Sequence, residues 1–163
     1  MIYNYFLGLG SNIEPRLYHL HTALEKLTQC GQVRKKSGLY LTQAWGEKEQ
    51  NDFYNAVVEF NSDLPPRYLL DTLKRIEQEA GRKSSSHWGP RQIDIDILYC
   101  SEASMEEKDL QIPHQYVTER RFVLEPLAEL VENLTIHGRK IRVRKMLQSC
   151  QDPSQVSRLD LAW

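Results

Sequence analysis

Cysteine is scarce, with Cys30, Cys100 and Cys150 alone among 163 residues, odd in number and far apart. Such spacing excludes a disulfide framework or a paired-cysteine zinc site and points to a reduced, cytoplasmic compartment. Neither sign of charge prevails, since 21 Lys plus Arg face 22 Asp plus Glu. Bulk positive charge therefore cannot hold a nucleic acid, and none is expected as a partner. Long apolar runs are missing as well: stretches such as Phe122-Val123-Leu124 are far too short to cross a bilayer. Met1-Ile2-Tyr3-Asn4-Tyr5 has neither the basic region nor the long apolar core of a signal peptide. No Gly-Lys-Ser/Thr phosphate loop occurs, which excludes the P-loop class. Gly8-Leu9-Gly10 lacks the third glycine of a dinucleotide fingerprint and reads as a tight turn between a strand and a helix. Serine–histidine–aspartate catalysis has no nucleophile turn to support it.

What is present suffices for a core. Hydrophobic residues make up 40% and charged residues 26% of the chain, the balance of one globular domain over residues 1–163. Residues 2–9 are aromatic and β-branched, a strand. Pro15 opens a helix carrying Leu17, Leu20, Leu24 and Leu27, closed by Gly31. Residues 33–41 alternate as a single second strand, and Val57, Val58 and Phe60 mark a third over residues 55–61. Asp63, Pro65 and Pro66 begin a helix whose stripe is Leu69, Leu70, Leu73, Ile76 and Ala80, ended by Gly81. Residues 82–91 show no period and read as a mobile loop. Ile93, Ile95, Ile97 and Tyr99 then alternate as a fourth strand. The order β-α-β-β-α-β specifies an α+β, ferredoxin-like sandwich. Residues 102–109 read as an acidic surface loop, Pro126 as the start of a short helix, and residues 135–141 as a hairpin around Gly138. These short helices and the hairpin form a C-terminal extension.

Arg91-Gln92-Ile93-Asp94-Ile95-Asp96 carries the strongest local signal. Residues two apart in a strand share a face, so both carboxylates project together, with Cα atoms roughly 6.6 Å apart. Two readings stand at this point. One is the solvated outer face of an edge strand. The other is a pair that shares hard cations, magnesium rather than zinc because the ligands are oxygens alone. The arginines at 82, 91, 120 and 121 favour the second, since guanidinium groups neutralise phosphate oxygens. Asn55 follows Phe53 and Tyr54, and an amide beside an aromatic ring suits a flat heterocycle, although an ordinary strand-entry asparagine looks the same. His19 and His21 read as surface residues, and the run Arg139, Lys140, Arg142, Arg144, Lys145 as a solvated face. His114, after Pro113, is a lone histidine in a loop.

These segments together resemble the 6-hydroxymethyl-7,8-dihydropterin pyrophosphokinase family of folate biosynthesis. The matching pieces are Leu9-Gly10-Ser11-Asn12, Asp52-Phe53-Tyr54-Asn55-Ala56-Val57, Gly81-Arg82, Trp88 through Leu98, Ile112-Pro113-His114 and Glu119 through Leu124. The resemblance implies transfer of pyrophosphate from ATP to the hydroxymethyl group of the reduced pterin, with AMP released. It implies Asp94 and Asp96 as ligands of magnesium, two ions, and Arg82 and Arg91 as catalytic arginines. It implies Thr42, Trp45, Phe53, Asn55 and Phe122 at the pterin. It implies Glu77, Trp88, Arg91, Ile97, His114 and Arg120 at ATP. The chain departs from the family at Ser84-Ser85-Ser86, where further basic residues are common, and at Leu41, Gln43 and Ala44. A metal-dependent phosphohydrolase would use the same aspartates and arginines, but not the aromatic and amide set. A ferredoxin-like binding module would need basic residues across an aromatic sheet face. Small-molecule substrates are the expected partners, and no obligate protein partner is evident.

Overall fold

The computed structural model describes residues 1–43, 50–81 and 91–163. Strand β1 (Tyr3–Ser11) leads into helix α1 (Arg16–Leu27), then β2 (Gln32–Lys36), β3 (Tyr40–Thr42) and β4 (Phe53–Ser62). Helix α2 (Pro66–Glu79) precedes β5 (Asp94–Cys100), and the hairpin β6 (Met105–Glu107) with β7 (Leu110–Ile112) follows. Helix α3 (Arg121–Leu130), the hairpin β8 (Asn133–Ile136) with β9 (Arg139–Arg142), helix α4 (Val143–Ser149) and β10 (Val156–Arg158) complete the chain.

The main sheet is antiparallel and runs β10-β3-β4-β1-β5, with β2 also paired to β4. Alternation along the strands assigns each residue to one of two faces. Tyr5, Leu7, Leu9, Ala56, Val58, Phe60, Ile95 and Ile97 build one core together with Leu20 and Leu27 of α1 and Leu69, Leu73 and Ile76 of α2. Burying each large aliphatic chain there contributes roughly 1.5–3 kcal/mol. On the opposite face, Phe6, Val57 and Leu98 pack under Val123, Leu124 and Leu127 of α3 and Val143 and Met146 of α4. These helices roof only one end of that face. At the other end the same three strands present Gly8 and Gly10, Phe53 and Asn55, and Asp94 and Asp96, which line a cleft. The functional floor is thus the unroofed half of a face whose other half is core.

Several expectations are corrected. Residues 33–41 form two strands, because Ser37 interrupts the ladder: its N–H donates to Val57 O and its Oγ accepts the Val57 N–H, each at 2.9 Å. A hydroxyl thus stands in for a backbone carbonyl, and the chain steps from β2 to β3. Gly8 and Gly10 lie inside β1 rather than in a turn. The acidic segment is half of the β6–β7 hairpin, because Arg67 of α2 pairs with Glu107 and with Asp109, the latter at 2.8 Å, and Leu110 and Ile112 are buried. Helix α3 begins five residues before Pro126, which lies within it. Its first turn is seeded from afar, since Asp152 Oδ2 accepts the Arg121 N–H at 3.0 Å, a donor that no residue inside the helix could satisfy. Gly81 follows α2 at φ +90° and Gly138 turns the β8–β9 hairpin at φ +76°, both where a left-handed conformation is needed.

Candidate active site

The cleft has a volume of about 320 Å³ and is walled by the open ends of β1, β4 and β5, the tip of β3, the C-terminal half of α2, and residues 114–123. That volume is in the range of small-molecule sites. Of the residues singled out from the sequence, Thr42, Phe53, Asn55, Glu77, Arg91, Asp94, Asp96, His114, Arg120 and Phe122 all line it. Trp45, Arg82 and Trp88, and the serine run at 84–86, lie outside the described residues. Ile97 is elsewhere: its side chain is 4% exposed in the core under α1 and α2. Ile97 stands opposite Leu7 as Ile95 stands opposite Leu9, so ladder alternation turns its backbone N–H and C=O toward the outer edge of β5.

One end of the cleft gathers an amide and two aromatic rings. Asn55 and Phe53 rise from β4, and Phe122, in the first turn of α3, brings a second ring to the same cleft. Asn55 Nδ2 donates to Thr42 Oγ1 at 2.6 Å, and Thr42 is 1% exposed. That bond fixes which way the amide faces, so its remaining donor and its carbonyl have a set orientation. Gly10 leaves the room: a Cβ there would come 2.5 Å from Asn55 Oδ1 and 3.4 Å from Phe53. The glycine read as a turn signal is a clearance beneath an amide.

The other end concentrates charge. Asp94 stands opposite Gly10 and Asp96 opposite Gly8 in the β1–β5 register, both on the cleft face. Arg91 and Arg120 are each 7% exposed, so their charges work in a medium that screens them little. Burial pulls the Arg120 guanidinium below its ordinary value, opposed most by Asp96 and then by Tyr116 and Asp94; a guanidinium stays protonated throughout. It lies 4.5 Å from the Tyr116 ring and 5.6 Å from the Phe122 ring, a cation–π arrangement that orients it. Burial, reinforced by Arg120, pushes the His114 imidazole down to about 4 against the pull of Asp94. His114 is accordingly neutral at pH 7, with Nδ1 accepting the Tyr116 N–H at 3.1 Å.

Strand β5 is the edge of the sheet, and two of its outward backbone groups are covered by residues of the site itself. Glu77 of α2, 5% exposed, accepts the Ile95 N–H at 2.8 Å through Oε2. The His114 N–H donates to Leu98 O at 2.9 Å. Two residues expected at the nucleotide thus also hold the strand that carries the aspartates.

Among the described residues no three His, Cys, Asp or Glu side chains converge as a metal cage. Two carboxylates on one strand face beside arginines fit a hard cation that keeps water and substrate oxygens in its shell, which is how magnesium binds. They do not fit a closed structural zinc site.

Sequence reasoning passes over two residues. Tyr116 supports Arg120, and only the spatial approach of the two reveals it. Asn12 stands in the sequence merely as part of a motif. It is 1% exposed and bonds to Arg91 on one side and to Gln50 and Asn51 on the other. A polar residue just past a strand is its only signal.

The chain has relatives among known proteins. The family model for 7,8-dihydro-6-hydroxymethylpterin-pyrophosphokinase (HPPK) matches residues 6–132. A 2-amino-4-hydroxy-6-hydroxymethyldihydropteridine pyrophosphokinase of Methylorubrum extorquens is 40% identical over 157 residues, 95% of this chain and 98% of that one. The protein of the same name from Aquifex aeolicus is 40% identical over 129 residues, 79% of this chain and 81% of its own. A solved HPPK-DHPS protein of Plasmodium falciparum superposes with a TM-score of 0.71 at 17% identity, over 91% of this chain and 44% of that chain. That likeness is one of fold. With a family model spanning most of its length and a relative matched nearly end to end, the chain belongs to the 7,8-dihydro-6-hydroxymethylpterin-pyrophosphokinase family.

Proposed function

We propose that the protein transfers the pyrophosphoryl group of ATP to the hydroxymethyl oxygen of 6-hydroxymethyl-7,8-dihydropterin, releasing AMP. The observation that carries this reading is one cleft with an oriented amide beside aromatic rings at one end and paired aspartates among buried arginines at the other. Phe53 and Phe122 stack on the pterin, and Asn55, oriented by Thr42, pairs with its donor and acceptor edge. Trp45, outside the described residues, is assigned to the pterin by the family motif alone. Glu77, His114 and the outward backbone of Ile97 face the nucleotide, and Trp88, outside the described residues, is assigned to it by the family motif alone.

In the reaction, the hydroxymethyl oxygen forms a bond to the β-phosphorus while the bond from that phosphorus to the α,β-bridging oxygen breaks. The bridging oxygen leaves with AMP, and the hydroxyl proton is released. Arg91, Arg82 and Arg120 offset the charge that gathers on the transferred group, and the two ends of the cleft hold the reactants in line. Magnesium, held by Asp94 and Asp96, supplies charge neutralisation to the phosphates when bound.

The frame is ferredoxin-like. Its support is the order β1-α1-β2-β3-β4-α2-β5, which becomes β-α-β-β-α-β when β2 and β3 count as one interrupted strand, with β4 and β5 flanking β1 and both β2 and β3 paired to the outer side of β4. Residues 1–163 act as a single pyrophosphokinase unit on small-molecule substrates. The cysteines are free, which fits the cytoplasm, and no helix among the described residues is long and apolar enough to cross a membrane.

Incubation with magnesium, ATP and the hydroxymethyl dihydropterin tests the reading. Pterin-dependent AMP is the expected product. Pterin-independent phosphate release would instead make the site a hydrolase, and no turnover of either kind would leave a binding module.

A further inference from the structure

We propose that Asn12 is a positioning residue that sets Arg91 against the pterin wall, acting through the chain on both sides of the cleft. This rests on the function proposed above. Asn12 follows β1 directly, and its side chain is not among those lining the cleft. Its backbone N–H donates to Arg91 O at 3.1 Å, and its Oδ1 accepts the Arg91 N–H at 2.8 Å. This two-point pairing holds Arg91 as a strand partner would, although Arg91 precedes β5. Its Nδ2 donates to Gln50 Oε1 at 2.9 Å and to Asn51 O at 3.0 Å. Asn51 stands two residues before Phe53, the first residue of β4.

One buried amide therefore ties the segment that delivers Arg91, Asp94 and Asp96 to the segment that delivers Phe53 and Asn55. The two reactants sit on different segments, so the distance between hydroxyl oxygen and β-phosphorus depends on how firmly these are joined. The amide group is chemically required. An aspartate would keep the acceptor for Arg91 but lose both donors and set a carboxylate against the Asn51 carbonyl. An alanine would lose all three side-chain bonds and keep only the backbone N–H to Arg91 O. A buried network of this kind is strong only when every member is satisfied.

The test is a double-mutant cycle read by single-turnover chemistry: wild type, Asn12→Asp, Arg91→Ala and the pair. Asn12→Asp should slow the chemical step roughly tenfold or more, the scale on which small misplacements of a catalytic group act. The losses of binding affinity for ATP and pterin should be much smaller. In the Arg91→Ala background, Asn12→Asp should cost a clearly smaller factor, because the guanidinium is gone and only the aspartates are left to be positioned. A fall in melting temperature equal in both backgrounds would accompany this without explaining it. The proposal is overturned if Asn12→Asp keeps the wild-type rate, or slows it by the same factor with and without the Arg91 side chain. Should Asn12→Asp not fold, Gln50→Ala takes its place in the cycle. It removes one of the two Nδ2 partners, and it should show a smaller loss with the same non-additivity; an additive result overturns the proposal equally. Wild type without pterin-dependent AMP would instead refute the function on which the proposal stands, an outcome distinct from an active wild type with additive variants.

Discussion

Gly10 of β1 lies directly beneath the Asn55 amide of β4, so close that a single added methyl would stand 2.5 Å from Oδ1. The contact joins β1 to the residue proposed to read the heterocycle. Gly10→Ala should displace the amide and weaken pterin binding by roughly 1–3 kcal/mol, the usual cost of leaving buried polar groups mispaired. ATP affinity should hardly change. Calorimetric titration of the two ligands separates these outcomes, and an equal loss for both would show that the methyl disturbs the sheet rather than the amide.

The orientation of that amide comes from the Thr42 hydroxyl. Thr42→Val keeps the shape and removes the acceptor, so the Asn55 amide can rotate. It should reproduce part of the Asn55→Ala defect, which is expected to be about 1–3 kcal/mol in pterin binding. In the Asn55→Ala background, Thr42→Val should add little. Pterin fluorescence titrations on the four proteins measure the coupling.

Asp94→Asn and Asp96→Asn should each remove turnover while leaving the fold intact. Both side chains leave the core face, where Ile93, Ile95 and Ile97 carry the packing. Thermal unfolding without magnesium should change little, since relief of one of two like charges is offset by the loss of a carboxylate that supports the buried Arg120. Wild-type-like rates in either variant at moderate magnesium would remove these residues from metal binding.

His114 makes stability depend on pH in a known direction. Its folded value, about 4, lies below the ordinary 6.5, so between these values the unfolded chain binds a proton that the folded one does not. Unfolding free energy in the metal-free protein should be full above pH 6.5 and decline as pH falls toward 4, by at most about 3 kcal/mol from this group. His114→Gln should flatten that part of the profile. Denaturant unfolding curves across the range provide the measurement, and an unchanged slope in the variant would assign the loss to other groups.

Local pattern carried much of this. Alternation in Ile93-Asp94-Ile95-Asp96-Ile97 is enough to set the isoleucines inward and the aspartates together on the other face, because a strand has a period of two whatever it packs against. The leucine stripes of α1 and α2 and the glycine ending α2 were likewise readable, since helical spacing and a left-handed terminus are properties of a few neighbouring residues. Motif order then pointed to the family.

Tertiary structure alone decided the rest, wherever a residue's state depends on partners far along the chain. Ser37 splits one apparent strand into two because Val57 lies alongside it. Helix α3 starts at Arg121 because Asp152, 31 residues later, accepts its N–H. The acidic segment pairs as a hairpin because Arg67 reaches it from α2. Gly10 looks like a turn residue until β4 brings Asn55 over it. Hydrogen bonds and clearances of this kind depend on distance in space, which sequence separation does not encode. What the sequence determined by itself was which side chains share a face; which face stayed open, and what stood across it, awaited the packing of α3 and α4 over one end of the sheet and not the other.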